Sequence, residues 1–255
     1  MRKNILITGV AGMIGSHLLE LKIKKNTVYG FDNFLNKKKN LINKFYSDKN
    51  FHFKKLDVSE KLNINKKTKF DEIWLLAANS DIQKGIKNHQ VDFKNTFLTN
   101  YNFLNQIKKN LYKNRTKIIF TSSSAIYGEV KKKIPSNHGP FKPISNYGAM
   151  KAASESFISY FASNHNVKYY IFRLPNVISE NFTHGIIKDF INKIKLKKKK
   201  FNVLGNGLQK KPFVHANDLI SIMEKIVKKK KNLKIIFIIY LLLIMVLMLN
   251  ILQKL

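Results

Sequence analysis

Tyr147 and Lys151 stand four residues apart in the run Tyr147-Gly148-Ala149-Met150-Lys151. On a helix this spacing stacks the phenol and the ammonium on one face. A positive neighbour lowers the pKa of a tyrosine and lets the phenol serve as a base near neutral pH. Chance alone places such a pair in many lysine-rich chains, so its weight comes from what precedes it. Ser122-Ser123-Ser124-Ala125-Ile126-Tyr127-Gly128 follows the apolar run Lys117 to Thr121. Hydroxyls at the end of a strand sit where open α/β sheets place their ligands.

A second constellation lies near the N-terminus. Gly9-Val10-Ala11-Gly12-Met13-Ile14-Gly15 has glycines at every third position, after a strand-like run (Asn4 to Thr8) and before helical spacing (Met13 to Lys22). In that context the first glycine makes a tight turn and the second admits a pyrophosphate. The third packs helix against sheet, and the helix N-terminus faces the negative charge. Met13 and Ile14 fall in the first helical turn, within the loop's reach. Asp32, followed by Asn33, ends the next strand 17 residues after Gly15, near the spacing of an acid that grips the adenosine ribose. A carboxylate there repels a 2′-phosphate, so NAD is expected rather than NADP. Asp57-Val58, after a third strand, is expected beside the adenine.

The elements that must hold these residues alternate. Strands are expected at Thr27 to Phe31, Phe51 to Leu56, Glu72 to Ala77, Lys117 to Thr121 and Lys168 to Leu174, with helices at His89 to Leu111 and Tyr147 to His165. Residues 36–50 read as a loop with a short helix. The pattern predicts an α/β, Rossmann-type, doubly wound parallel sheet. After about Gly185 it gives way to helix and loop, too short for a full domain. Three regions are expected: an NAD-binding domain at 1–174, an incomplete substrate-binding portion at 175–227, and a lysine-rich linker with a hydrophobic tail at 228–255.

With these motifs in order, the sequence resembles the extended short-chain dehydrogenase/reductase family, and within it the NAD-dependent nucleotide-sugar epimerases and dehydratases. The resemblance runs from about Lys3 to Ile226. Leu75-Leu76-Ala77-Ala78-Asn79 resembles the family's strand-four element that lines the cofactor, and Asn95 the asparagine on the following helix. Arg173-Leu174-Pro175-Asn176-Val177 resembles the strand whose asparagine contacts the nucleotide sugar. Gly205 to Asp218 resembles the segment at the substrate diphosphate, with Lys211 where the family often uses arginine. Lysine keeps the charge and loses the fork geometry. The resemblance implies that Ser123 is the catalytic hydroxyl, with Ser124 beside it at the substrate. It makes Tyr147 the base and Lys151 its partner, which also holds the nicotinamide ribose. The implied chemistry is oxidation of a sugar carbon by NAD to a keto-sugar, then return of hydrogen to the opposite face or loss of water. The 4,6-dehydratases usually carry Asp-Glu after the catalytic hydroxyl, whereas this chain has Ser124-Ala125. Epimerisation of a nucleotide-diphosphate sugar, a UDP-hexose foremost, is therefore expected ahead of dehydration or keto-sugar reduction. A cofactor-binding remnant of little activity is the remaining alternative, because family members run further at the C-terminus. A helix-paired homodimer is expected from the resemblance alone.

Composition sets outer limits. The 255 residues carry 47 Lys+Arg against 15 Asp+Glu, a formal charge of +32. Nearly all of it is lysine, the arginines being Arg2, Arg115 and Arg173. Bidentate work on phosphates and bases falls mainly to arginine, so a nucleic-acid partner is not expected. The absence of cysteine excludes disulfides, thiolate metal sites and a cysteine nucleophile. The histidines lack metal-ligand spacing, so no metal is expected. No leader peptide is visible, and the body of the chain is expected to be cytoplasmic. Ile235 to Leu252 is almost wholly apolar and follows a run of lysines. Three readings compete: a membrane anchor, the product of a shifted reading frame, and a buried strand or helix of a reduced domain.

Overall fold

The computed structural model describes residues 2–35, 41–129, 139–180, 186–195, 212–228 and 235–238. Its centre is a seven-stranded parallel sheet of order β3-β2-β1-β4-β5-β6-β9. The strands are β1 (Asn4–Thr8), β2 (Thr27–Asp32), β3 (Phe51–Lys55), β4 (Glu72–Leu75), β5 (Lys117–Ser123), β6 (Lys168–Leu174) and β9 (Ile235–Ile238). The order reverses at β1, where β1 pairs with β2 on one side and β4 on the other. A crevice therefore opens at the carboxyl ends of these strands, where open α/β sheets bind ligands.

Strand periodicity builds two cores from one sheet. Ile5, Ile7, Ile119, Tyr170 and Phe172 face one side and pack with Leu18, Leu19 and Ile23 of α1 (Met13–Ile23). Leu219, Ile220, Met223 and Val227 of α7 (Ala216–Lys228) complete that layer. These four apolar residues recur at helical spacing, and burying each contributes about 1.5–3 kcal/mol. Leu6, Ile73, Leu75, Ile118, Phe120 and Ile171 face the other side. They meet Phe103 and Leu104 of α4 (Thr99–Gln106) and Ile158, Phe161 and Ala162 of α5 (Asn146–Asn164).

Between β4 and α4 lie α2 (Ile82–Lys87), α3 (His89–Asp92) and a π-helical stretch, Phe93–Leu98. The single helix expected from His89 to Leu111 is thus divided, with a 3₁₀ turn at Lys108–Asn110 ending it. Apolar spacing cannot distinguish α from π winding, because the extra residue per turn is fixed by tertiary contacts. The strand expected to reach Ala77 stops at Leu75. Leu76 and Ala77 instead donate their amides to the Thr8 hydroxyl (3.2 and 3.3 Å).

Beyond β6 the chain forms β7 (Asn176–Ile178), α6 (Ile186–Lys195) and β8 (Phe213–His215), with β7 and β8 paired in a separate two-stranded sheet. The described part of the tail is a strand. Ile235–Ile238 is a strand in register with Tyr170–Arg173 of β6, so the apolar run does not begin as a membrane helix at Ile235. No helix among the described residues is long and apolar enough to cross a membrane. The start of the run is used as a strand at the edge of the sheet, and residues 239–252 lie outside the described residues.

Candidate active site

The glycine loop sits at the point where the strand order reverses. Gly9 adopts φ +70°, and a Cβ there would lie 2.8 Å from the Ala77 amide nitrogen. At Gly15 a Cβ would meet the Gly9 carbonyl oxygen at 2.2 Å, so the loop folds back on the first turn of α1 only without a side chain. Gly12 is the N-cap of α1 and offers no side-chain hydrogen bond. The first-turn amides, with Met13 and Ile14, are consequently left for an anion, with the helix dipole behind them.

Asp32 ends β2 beside this loop. One carboxylate oxygen accepts the Ala11 amide (3.0 Å) and the other the Phe34 amide (2.8 Å). The second bond helps hold Phe34 in a left-handed conformation, φ 54°. Burial raises the pKa of Asp32, and the two amides act against that rise. The carboxylate keeps lone pairs for two ribose hydroxyls. Asn33 donates to Asp57 (2.9 Å), tying the ends of β2 and β3 together. At Asp57 burial opposes ionisation, but the hydroxyl and amide of Ser59, with Asn33, outweigh it and lower the pKa. Val58 is buried. Across the crevice, Leu76, Ala77 and Ala78 form the wall after β4. Asn95 lies in the π stretch, where its carbonyl accepts the Asn79 amide (3.1 Å). A nucleotide needs an anion cradle, a ribose-gripping acid and an apolar wall for adenine, and these residues fit NAD on all three counts.

The second half of the site lies at the carboxyl end of β5. Ser123, the last residue of β5, uses its hydroxyl to accept the Ala125 amide (3.1 Å) and lies near the Tyr147 phenol. Ser124 is exposed beside it. Tyr147 lies in the first turn of α5, a helix capped by the Ser145 hydroxyl, which accepts the Gly148 amide (3.1 Å). One turn on, Lys151 is buried and its Nζ donates to the Thr121 carbonyl (2.7 Å). Nζ stands 4.8 Å from the centre of the Phe120 ring and 5.8 Å from that of Tyr147.

The protein groups by themselves work against ionisation at both positions. Burial of its hydroxyl end pushes Tyr147 up to about 12; the Ser123 hydroxyl opposes the rise and the Asp92 carboxylate adds to it. Burial brings Lys151 down to about 7, with Glu155 acting the other way. The reason is geometric: Nζ is turned to a backbone carbonyl, and both groups are desolvated.

Of the substrate-side residues, Asn176 is exposed on β7, its side-chain amide donating to the Pro212 carbonyl (3.4 Å). Lys211 lies outside the described residues. Among the described residues no cluster of His, Cys, Asp or Glu could hold a metal. Sequence reasoning missed the supports of α5. Glu155 takes the guanidinium of Arg173 through three bonds of 2.7–3.2 Å, and Arg173 donates to the Tyr127 hydroxyl (2.7 Å). The signal available was Glu155 itself, an acid on the long helix one turn after Lys151.

The comparisons with known proteins agree with this arrangement. The domain family described as "NAD dependent epimerase/dehydratase family" matches residues 5–239. A relative from Methanocaldococcus jannaschii bearing a UDP-glucose 4-epimerase name is 31% identical over 224 residues, covering 84% of this chain and 70% of its own. The UDP-glucuronic acid 4-epimerase of Bacillus cereus, solved with UDP-glucuronic acid and NAD, superposes with a TM-score of 0.83. It is 25% identical, and the match covers 98% of this chain and 83% of that one. At 24% identity, the UDP-N-acetylglucosamine 4-epimerase of Methanobrevibacter ruminantium M1 shares the fold, with a TM-score of 0.82 over 99% of this chain and 82% of its own. A domain match over nearly the whole chain, joined to a Rossmann sheet with its glycine loop at the strand-order reversal, places this chain in the NAD-dependent epimerase/dehydratase family.

Proposed function

We propose that the protein epimerises a nucleotide-diphosphate sugar, a UDP-hexose foremost, using NAD and passing through a keto-sugar. The observation that carries this reading is the approach of the Ser123 and Tyr147 hydroxyls at the end of β5, with Lys151 one turn away and the nucleotide cradle across the crevice. Gly9, Gly12 and Gly15 receive the pyrophosphate, Asp32 the adenosine ribose, and Asp57-Val58 with Leu76-Ala77-Ala78 the apolar wall. Bound NAD supplies a nicotinamide that takes up and returns hydride. Tyr147 removes the sugar hydroxyl proton, and Ser123 holds the same oxygen by hydrogen bond. With the phenol at about 12 in the protein alone, Tyr147 works near neutral pH only beside additional positive charge. Lys151 holds the ribose hydroxyls near Tyr147, while Asn176, Ser124 and Lys211 serve the substrate.

Ser124-Ala125 stands where an acid pair would drive water loss, so inversion leads over dehydration. A relative from Dictyostelium discoideum named dTDP-D-glucose 4,6-dehydratase, 28% identical over 247 residues, keeps dehydration as the second reading. We also assign a homodimer through α4 and α5. Phe93, Phe97, Tyr101, Phe157 and Tyr160 form a continuous ladder of rings 4.8–6.5 Å apart. Phe93, Tyr101 and Tyr160 are exposed by 40–65%. Such a row on two neighbouring helices suits a self-complementary partner.

The test is NMR of purified protein with NAD and a panel of UDP-hexoses, with Tyr147→Phe as control. A new anomeric signal that disappears in the variant is expected. Loss of water instead would move the assignment to dehydration, and no conversion with NAD still bound would withdraw the enzyme reading.

A further inference from the structure

Asp92 is 1% exposed, at the last position of α3. One carboxylate oxygen accepts the side-chain amide of Asn79 (2.7 Å), and the other accepts that of Asn146 (3.4 Å). Asn79 follows the Ala77-Ala78 wall, and Asn146 is the first residue of α5, immediately before Tyr147. Asn146 also donates to the His89 carbonyl (2.9 Å), fixing its amide against α3. Space for the carboxylate is made on α2, where a Cβ at Gly85 would fall 1.9 Å from Asp92 Oδ2. The π winding that follows lets the backbone carbonyl of Asn95 and the hydroxyl of Thr96 both accept the Asn79 amide (3.1 and 3.3 Å). Among the described residues no ion pair includes Asp92, so its partners are two neutral amides. A buried carboxylate costs several kcal/mol without a counter-ion, and a purely structural post at this place needs no charge.

We propose that Asp92 is a positioning residue for the reaction, clamping the cofactor wall after β4 to the first turn of α5 and thereby setting where Tyr147 stands. This rests on the epimerase reading for its catalytic consequence, but the clamp is also testable without turnover. Tyr147 has the Ser123 hydroxyl near it from β5 and Lys151 on its own helix, and it feels Asp92 from α3.

The experiment compares the full-length protein with Asp92→Asn, which preserves side-chain size and leaves one acceptor oxygen. The Tyr147 phenol is titrated by rapid pH jump, reading tyrosinate absorbance as the difference between each protein and its Tyr147→Phe counterpart. The kcat and KM of the holoenzyme are measured on the sugar that responds. Asp92→Asn is expected to lower the pH of the phenol titration and to reduce kcat about tenfold with little change in KM, the mark of a misplaced reacting group. A phenol titration that does not move overturns the proposal, whether or not thermal stability falls. So does a kcat within twofold of the parent. If the parent turns over no sugar, the epimerase reading fails, and the clamp is judged by amide hydrogen exchange in the first turn of α5, which Asp92→Asn should quicken about tenfold; unchanged exchange overturns the proposal.

Discussion

Replacing Lys151 with methionine should make the folded protein more stable below neutral pH, with the gain fading as the solution becomes alkaline. Lys151 is 3% exposed, and burial takes its pKa from 10.5 to about 7. At about 1.4 kcal/mol per pKa unit, holding the ammonium in the fold costs about 5 kcal/mol wherever both folded and unfolded chains are protonated. The sign follows from proton counts. Between pH 7 and 10.5 the unfolded chain binds the proton and the native one has released it, so the lysine protein gains stability as pH rises through that window. Methionine matches the stem length and carries no charge, but it forfeits the 2.7 Å bond to the Thr121 carbonyl, worth about 1 kcal/mol. The variant should thus be about 3–4 kcal/mol more stable at pH 6 and no more stable at pH 11. Urea denaturation of both proteins across that range measures the difference, in which titrating groups distant from Lys151 cancel. A difference that is flat with pH, or a variant less stable at pH 6, would refute the reasoning. Turnover should be lost throughout, a stability gain at the expense of the site.

Other outcomes follow from the same geometry. Gly15→Ala drives a Cβ into the Gly9 carbonyl at 2.2 Å and should weaken NAD binding by about 1–3 kcal/mol, measured by calorimetric titration. Asp32→Ser removes the carboxylate that repels a 2′-phosphate, and NADP binding should strengthen about tenfold relative to NAD in the same assay. Glu155→Ala leaves the buried Arg173 without its three-bonded carboxylate and should cost about 3–5 kcal/mol by chemical denaturation. Tyr101→Glu, in the exposed ring ladder, should shift the sedimentation behaviour from dimer to monomer while NAD binding persists.

Local patterns in the chain were sufficient for the frame of the fold. Short apolar runs ending in Gly9, Asp32 and Ser123 marked the carboxyl ends of β1, β2 and β5, because a fully buried parallel strand is apolar on both faces and stops where polar chemistry begins. Glycines three apart told where an anion would sit, since that turn excludes side chains wherever it occurs. The Tyr147–Lys151 pair was legible through helical spacing taken together with the serine run before it. These are all features whose cause lies within about 20 residues of chain.

The remainder required elements far apart in sequence to meet. Spacing put Lys151 and Tyr147 on one helix face, while only packing against β5 gave Nζ the Thr121 carbonyl and buried the phenol. Asp92 carried no signal within the expected helix, and only the approach of Asn79 and Asn146 enclosed its carboxylate. Ile235 to Ile238, apolar enough to suggest a membrane, became a strand because β6 offered an unpaired edge. The chain by itself determined which chemistry could be held, through residue type and local periodicity. The tertiary structure decided how each charge is felt, because desolvation and the choice of hydrogen-bond partner depend on neighbours that no local pattern encodes.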